Sequence, residues 1–243
     1  SAGTEEVPAP PGTAVRSLVT PASGELIVVK DGESIQAAVT AAKPGAVIKV
    51  MPGTYKETVY IDKDNITLSG VIEQGKYPVL EGEGLRNDAV LYSGNGVTVE
   101  NLYITNYKGN GVMGQAGNNF IIRNNIIVDT GVYGIFPQLG DNGIVSHNIV
   151  SGIEDAAIYV GMSDHVDVVF NQVFDSVAGI EIENSRDALV EGNYVYNNTG
   201  GILAFITPGL PIKTCGDVLI RNNFIVDNNH EKFAIPVSLV SNI

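Results

Sequence analysis

Two glutamates, Glu181 and Glu183, stand two positions apart in the segment GIEIE. If that segment is a β-strand, both carboxyls point to one face, about 7 Å apart. Inverting glycoside hydrolysis uses two carboxyls about 6.5–9.5 Å apart, one as acid and one as base. The same oxygens suit a Ca²⁺ ion bridging to the carboxylate of a substrate. An exposed strand also carries charges simply to stay soluble and unstacked, and that plainer role stays open. His165, next to Asp164, is the nearest group able to move a proton near neutral pH. Glu154 and Asp155 add an acidic margin, and Asp155 with Glu181 and Glu183 makes a candidate metal set.

What would position these groups is a repeat. Asn125, Asn148, Asn171, Asn193 and Asn223 occupy one place in the copies IIRNNII, IVSHNIV, DVVFNQV, LVEGNYV and LIRNNFI, spaced 23, 23, 22 and 30 residues apart. A period near 22 with apolar-polar alternation predicts a solenoid of stacked β-coils, with the asparagines as a structural ladder at an internal turn. Leu102 holds the equivalent place one coil earlier. The third strand of each coil reads GVMGQ, GIFPQ, AIYVG, GIEIE and GILAF. Alternation turns Ile158, Val160, Ile180, Ile182 and Ile202 inward. It sets Met113, Phe136, Tyr159, Glu181 and Leu203 in one outward column, and Gln115, Gln138, Gly161, Glu183 and Phe205 in a second. With coils about 4.8 Å apart, the columns form a ribbon roughly 25 Å long, a footprint for an extended polymer.

On that ribbon Glu181, Glu183, Tyr159 and His165 are the catalytic candidates, with Phe136, Tyr133, Phe205, Lys213 and Gln138 as substrate contacts. Tyr133 and Lys108 are reserves for a base or a charge neutraliser. Asp164 is expected to stack near Arg186, a solvated ion pair, and His165 near Asp187. The long gap before Asn223 holds an extra loop, Ile206–Cys215, predicted to wall the groove and to bring Lys213 towards Glu183 and Phe205. Cys215 reads as an incidental small residue, and His147 and His230 as structural.

Residues 1–23 read as a Pro/Ala-rich linker and 24–243 as one β-helix domain. A helical cap is expected over about 33–43, where Ile35, Ala38, Val39 and Ala42 share a helical face, Asp31 or Ser34 can cap the start and Pro44-Gly45 stops it. AVIKV, PGTY, TVYI and ITLSGV follow as first strands. The last residues, VSLVSNI, read as another strand without a polar cap, which suggests further coils or end-to-end self-association.

Composition narrows the partners. The net charge is −13, from 27 acidic and 14 basic residues without a basic stripe, which argues against nucleic acid. A single cysteine excludes an internal disulfide framework, and no apolar run is long enough to span a membrane. The opening SAGTEEVPAPPGTAV is what the start of a processed, exported protein looks like.

The helix followed by PGTY, and the repeated xIxxNxI…GI coils, resemble right-handed parallel β-helix proteins of the pectate-lyase-like superfamily. GIEIENS, NNTGGILAF and PGLP look more like bacterial secreted parallel β-helix repeat proteins without an assigned activity, and there is a distant similarity to mannuronan C5-epimerases. The resemblance covers about residues 25–243 and implies an all-β fold, a right-handed parallel β-helix of about 22–23 residues per coil with a short N-terminal capping helix. It also implies a secreted, periplasmic or cell-surface protein acting on an acidic (uronate) polysaccharide or another glycan, as a lyase or C5-epimerase, with Ca²⁺ as the cofactor to expect. The hydrolase strings NTD, GHG and RIK are absent, there is no Trp for a lyase WiDH segment, and the epimerase DPHD has only Ser163-Asp164-His165-Val166-Asp167 as its nearest counterpart. Those departures keep a non-catalytic glycan-binding or assembly protein as the alternative.

Overall fold

A computed structural model describes residues 24–231. The proposed linker and the terminal strand VSLVSNI lie outside the described residues. Among those described, 24 strands and one helix form three parallel sheets of nine, eight and seven strands. Each coil contributes one strand to each sheet in turn, and consecutive strands in a sheet come from consecutive coils. The chain is a right-handed parallel β-helix. The early strands Val47–Val50, Gly53–Tyr55, Val59–Ile61 and Thr67–Gly70 match the segments named from sequence.

The helix Ile35–Ala41 starts at Ser34, whose hydroxyl accepts from the Ala37 N–H at 3.1 Å. Glu57 takes two of the other free donors at that end, the N–H groups of Ile35 and Gln36. At the far end Lys63 Nζ donates to the carbonyls of Val39, Thr40 and Ala42. A carboxylate at one terminus and an ammonium at the other both suit the helix dipole. Ile35, Val39 and Ala42 are buried, with Ala38 partly so, and the helix packs on the strands of the first coil. Asp31, the other cap candidate, serves instead as an acceptor for the Thr54 N–H.

Coil-to-coil registry is held by the asparagines. Asn125 Nδ2 donates to Asn148 Oδ1 at 3.1 Å, and the Asn148–Asn171, Asn171–Asn193 and Asn193–Asn223 links are each 3.0 Å. Every such Oδ1 also accepts the backbone N–H of the preceding asparagine. The second hydrogen of each amide goes to a strand carbonyl one coil back, Val99 for Asn125 and Ile122 for Asn148. The turn requires a left-handed residue just before each asparagine, and Asn124, His147, Phe170, Gly192 and Asn222 all have φ between 54° and 68°. His147 therefore sits in this turn as a backbone element, its ring 5.5 Å from that of Phe170.

Inside, Ile158, Val160, Ile180 and Ile182 are fully buried, whereas Ile202 in the penultimate described coil is only partly covered. The seven-stranded sheet runs with Met113 opposite Phe136, Tyr159 opposite Glu181 and Glu181 opposite Leu203. Gln115, Gln138, Gly161, Glu183 and Phe205 follow in the second column. The columns are those that the repeat predicts.

Replacing Asn148 by Ala strips the Asn125 N–H and the Ile122 carbonyl of their partners inside the coil. Each buried polar group left unpaired costs about 1–3 kcal/mol. The urea midpoint of Asn148→Ala should fall accordingly, while Gln115→Ala on the exposed ribbon should move stability by less than about 0.5 kcal/mol.

Candidate functional site

The ribbon candidates fall into two groups. The first is a compact cluster on the strands Ala156–Gly161 and Ala178–Glu183. Tyr159 Oη donates to Glu183 Oε1 at 2.6 Å. The ring of Tyr159 stacks on Tyr133 at 4.6 Å and 12°, and Phe136 meets both edge-on at 4.8 and 4.7 Å. Gly161 makes this possible: a Cβ there would stand 2.6 Å from Tyr159 Cε1, so the missing side chain gives the ring its path to Glu183.

Tyr159 is consequently not an open sugar platform. It is 6% exposed, packed with Ala156, Ala178, Tyr133, Phe136 and Leu203 in a small apolar cluster outside the main core. Alternation predicts the outward direction correctly but is blind to neighbours on the same face that fold over one another. Burial, the Glu183 hydrogen bond and nearby carboxylates all hold the Tyr159 phenol well above its ordinary range, which removes it as a base. Tyr133 is pushed up in the same way, chiefly by burial.

Close to Tyr133 lie Asp155, Glu181 and Glu183. Burial, then the charges of Asp155 and Glu183, raises Glu181 to about 8. Asp155 is also raised, by burial first and then by Glu183. Glu181 thus keeps its proton at neutral pH beside a carboxylate that accepts a phenolic hydrogen bond, a division suited to an acid and its partner. Glu181 also borders a cleft of about 400 Å³ with Leu203, Thr199 and Asn228.

Asp155, Glu181 and Glu183, the candidate metal set, lie close enough that their charges act on one another. Among the described residues no group of three or more His, Cys, Asp and Glu side chains is placed to hold a metal ion.

The second group sits in the next turn. His165 Nδ1 is 2.8 Å from Asp141 Oδ1, and Nε2 is 3.3 Å from Asp187 Oδ2. The Asp141 hydrogen bond raises the imidazole, partly opposed by desolvation and aided by the charges of Asp141, Asp187 and Asp164. Carboxylates at both ring nitrogens favour the protonated form of the imidazole. Asp164 meets Arg186 at 2.5 Å, the expected pair. His165 therefore belongs to a charged turn column, and its partners are not those of Glu181 and Glu183. The coil spacing places Asp141 one coil back and Asp187 one coil on from the His165 turn, and the sheet sets Asp141 directly opposite Asp164.

The loop Ile206–Cys215 is tied to the turn after Glu183. Asn184 donates to the carbonyls of Thr207 and Ile212 and accepts from the Thr207 N–H, and Arg186 donates to the Thr214 carbonyl. Lys213 Nζ turns back to the Leu210 carbonyl at 3.2 Å and forms no ion pair with Glu183 among the described residues. Cys215 Sγ lies 3.9 Å from the Ile182 carbonyl. Phe205 and Gln138 keep their places in the second column, both half-buried. Lys108 and Glu154 line a separate groove of about 750 Å³ on the upstream turns, with Glu83 and Asp129.

The family model described as periplasmic copper-binding protein (NosD) matches residues 54–235. The chain belongs to this NosD family. No curated protein matches the sequence. Among solved structures, a tailspike protein of Acinetobacter baumannii bacteriophage Fri1, a capsular polysaccharide depolymerase, is similar at 10% identity and TM-score 0.50, over 82% of this chain and 48% of that one. An alginate lyase from Paenibacillus sp. str. FPU-7 is similar at 15% identity and TM-score 0.49, over 84% and 97%. Pectate lyase Pel9A is similar at 12% identity and TM-score 0.41, over 86% and 79%. At such identities the likeness is one of fold.

The copper in the NosD family's description can be tested against the donors present. Copper favours imidazole and sulfur ligands. Here no three candidate ligands converge among the described residues, and both nitrogens of His165 already face carboxylates. These residues do not fit a resident copper ion. No helix among the described residues is long and apolar enough to cross a membrane.

Glu181 offers a direct check on the cluster. Its folded value of about 8 exceeds the ordinary 4.5, so the folded state binds the extra proton and that advantage is lost as pH rises through 8. Melting temperature should therefore fall between pH 4.5 and about 8 in the parent chain and fall less in Glu181→Gln. Equal slopes in the two proteins would remove the buried proton.

Proposed function

We propose that this chain is an exported carbohydrate-active β-helix, with a polysaccharide lying along the outer ribbon of the seven-stranded sheet. In this proposal Glu181 is the proton donor and Glu183 its basic partner. The observation that carries it is the pair Glu181 and Glu183 on one strand, with Glu183 held by the Tyr159 hydroxyl and the Tyr159 ring stacked on Tyr133. A solenoid face built from registered parallel strands gives a polymer a straight bed, and the acid pair marks one point on it. The periplasmic description of the family supports an exported location. The substrate class proposed is an acidic, uronate-containing polysaccharide.

The chemistry that fits is β-elimination. Glu183 takes the proton at C5, the C–H electron pair becomes the C4–C5 double bond, and the C4–O bond breaks as Glu181 protonates the leaving oxygen. Returning a proton to C5 from the opposite face instead would give epimerisation. None of Asp155, Glu181 and Glu183 has a Lys or Arg ion-pair partner among the described residues. The described residues therefore place no Lys or Arg beside the pair to neutralise a uronate carboxylate.

A second reading, a glycan-binding or assembly protein without turnover, is favoured by the same lack of a cation and by the burial of Tyr159. The experiment is a screen of alginate, pectin and related polymers, following the ultraviolet absorbance of unsaturated product and C5 stereochemistry by NMR. Glu181→Gln should lower turnover by about 10²–10⁴-fold, the usual worth of a positioned acid or base. Binding that depends on Glu181 with no turnover on any polymer would leave the second reading standing.

A further inference from the structure

The outer face of the eight-stranded sheet presents aliphatic and aromatic side chains to solvent. Its first outward column runs Tyr103, Ile126, Ile149, Gln172, Tyr194 and Phe224, in register from coil to coil. A second column on the same face includes Phe174, Tyr196 and Val226. No charged side chain occurs at any of these positions.

The aromatic members gather at one end. Phe174 stacks on Tyr196 at 4.9 Å and 10°, Tyr196 on Tyr194 at 4.3 Å, and Tyr194 meets Phe224 at 5.2 Å. Gln172 Nε2 holds the Tyr196 hydroxyl at 2.8 Å, which fixes that ring. Tyr194 and Phe224 remain 41% and 63% exposed. Downstream, the strip opens into a cleft of about 650 Å³ lined by Tyr196, Asn197, Asp227, Asn229 and His230. An exposed aromatic floor running into amide and carboxylate groups combines a surface for C–H faces with acceptors and donors for hydroxyls.

We propose that this strip is a second glycan-binding site, selective for neutral hexopyranosyl chains, on a different face from the acid pair of the seven-stranded sheet. The charge of the lining decides the class of sugar. Asp227 borders the cleft, Asp175 is bonded to Asn197 beside it, and neither Lys nor Arg lines it. On a chain of net charge −13, a uronate would be repelled here, whereas a neutral sugar offers hydroxyls to the same carboxylates. The site holds polymer without acting on it, and it stands independently of the chemistry proposed for Glu181.

Affinity electrophoresis of the purified chain tests this, in gels containing hydroxyethylcellulose, galactomannan or alginate. The parent chain should be retarded by a neutral polymer. Tyr194→Ser and Phe224→Ser, at exposed positions that leave the core intact, should each weaken that retardation by about tenfold. Glu181→Gln should leave it unchanged. Circular dichroism melts of the two serine variants should match the parent and exclude unfolding as the cause. The proposal is overturned if neither neutral polymer retards the parent or if the serine variants migrate as the parent does. It is equally overturned if retardation is lost in Glu181→Gln alone, or if sedimentation shows the strip closed by a second copy of the chain.

Discussion

Stacked coils stay in register because each internal turn buries an amide that has no water to turn to. Asn148 accepts two hydrogens from Asn125 and donates to Asn171 and to the Ile122 carbonyl. A slip of one residue would leave these groups unpaired and turn every inward side chain outward. The serine column of Ser163 and Ser185, and the row Ser176, Asn198 and Asn228, repeat the device at the other turns. The fold is therefore fixed at its corners as firmly as in its apolar core.

Fixed corners bring unlike charges and like charges together with equal indifference. On the nine-stranded sheet this joins Arg123 to Glu100, Arg186 to Asp164 and Arg221 to Glu191. On the seven-stranded sheet it forces Glu181 against Glu183 and Asp155 with no basic partner. A protein selected for stability alone would gain from a lysine or a methionine there, because buried unpaired acids are costly. Keeping the proton on Glu181 is the cheapest relief the site has. That proton is also what an acid catalyst needs near neutral pH, and it is why the cluster is read as a site rather than as a solvated patch.

Much of this was legible in the sequence, for a physical reason. A periodic chain repeats its environment, so one aligned asparagine gives the facing of every residue in the coil. The inward isoleucines, both outward columns and the Asp164–Arg186 pair all follow from that. What did not follow were contacts that break the repeat. The rotation of Tyr159 across Gly161 into Tyr133 and Phe136, and the return of Lys213 onto its own loop, depend on side-chain packing that alternation does not encode. Both partners of His165 sit in the equivalent turns of neighbouring coils, Asp141 one coil back and Asp187 one coil on, but spacing alone does not show that one imidazole reaches both. The aromatic strip of the eight-stranded sheet was visible as well, in QVF, YVY and FIV, but those residues read as ordinary strand formers until their exposure is known.

In a solenoid, then, chemistry is assigned by column rather than by pocket. The nine-stranded face is laced with ion pairs, a surface that stays hydrated and resists association. The seven-stranded face concentrates unpaired acid under aromatic cover. The eight-stranded face carries Glu81 at its early end and becomes increasingly aromatic towards its last described coils. Because all three are generated by one backbone repeat, the differences between them cannot come from the backbone and must lie in side chains alone. The NosD family shares the repeat, and the copper in its description calls for soft or imidazole donors meeting at one point. In this chain the histidines and the cysteine are dispersed over separate turns, whereas carboxyls and aromatic rings share columns. That arrangement favours sugar hydroxyls and ring faces as ligands over a bare transition metal.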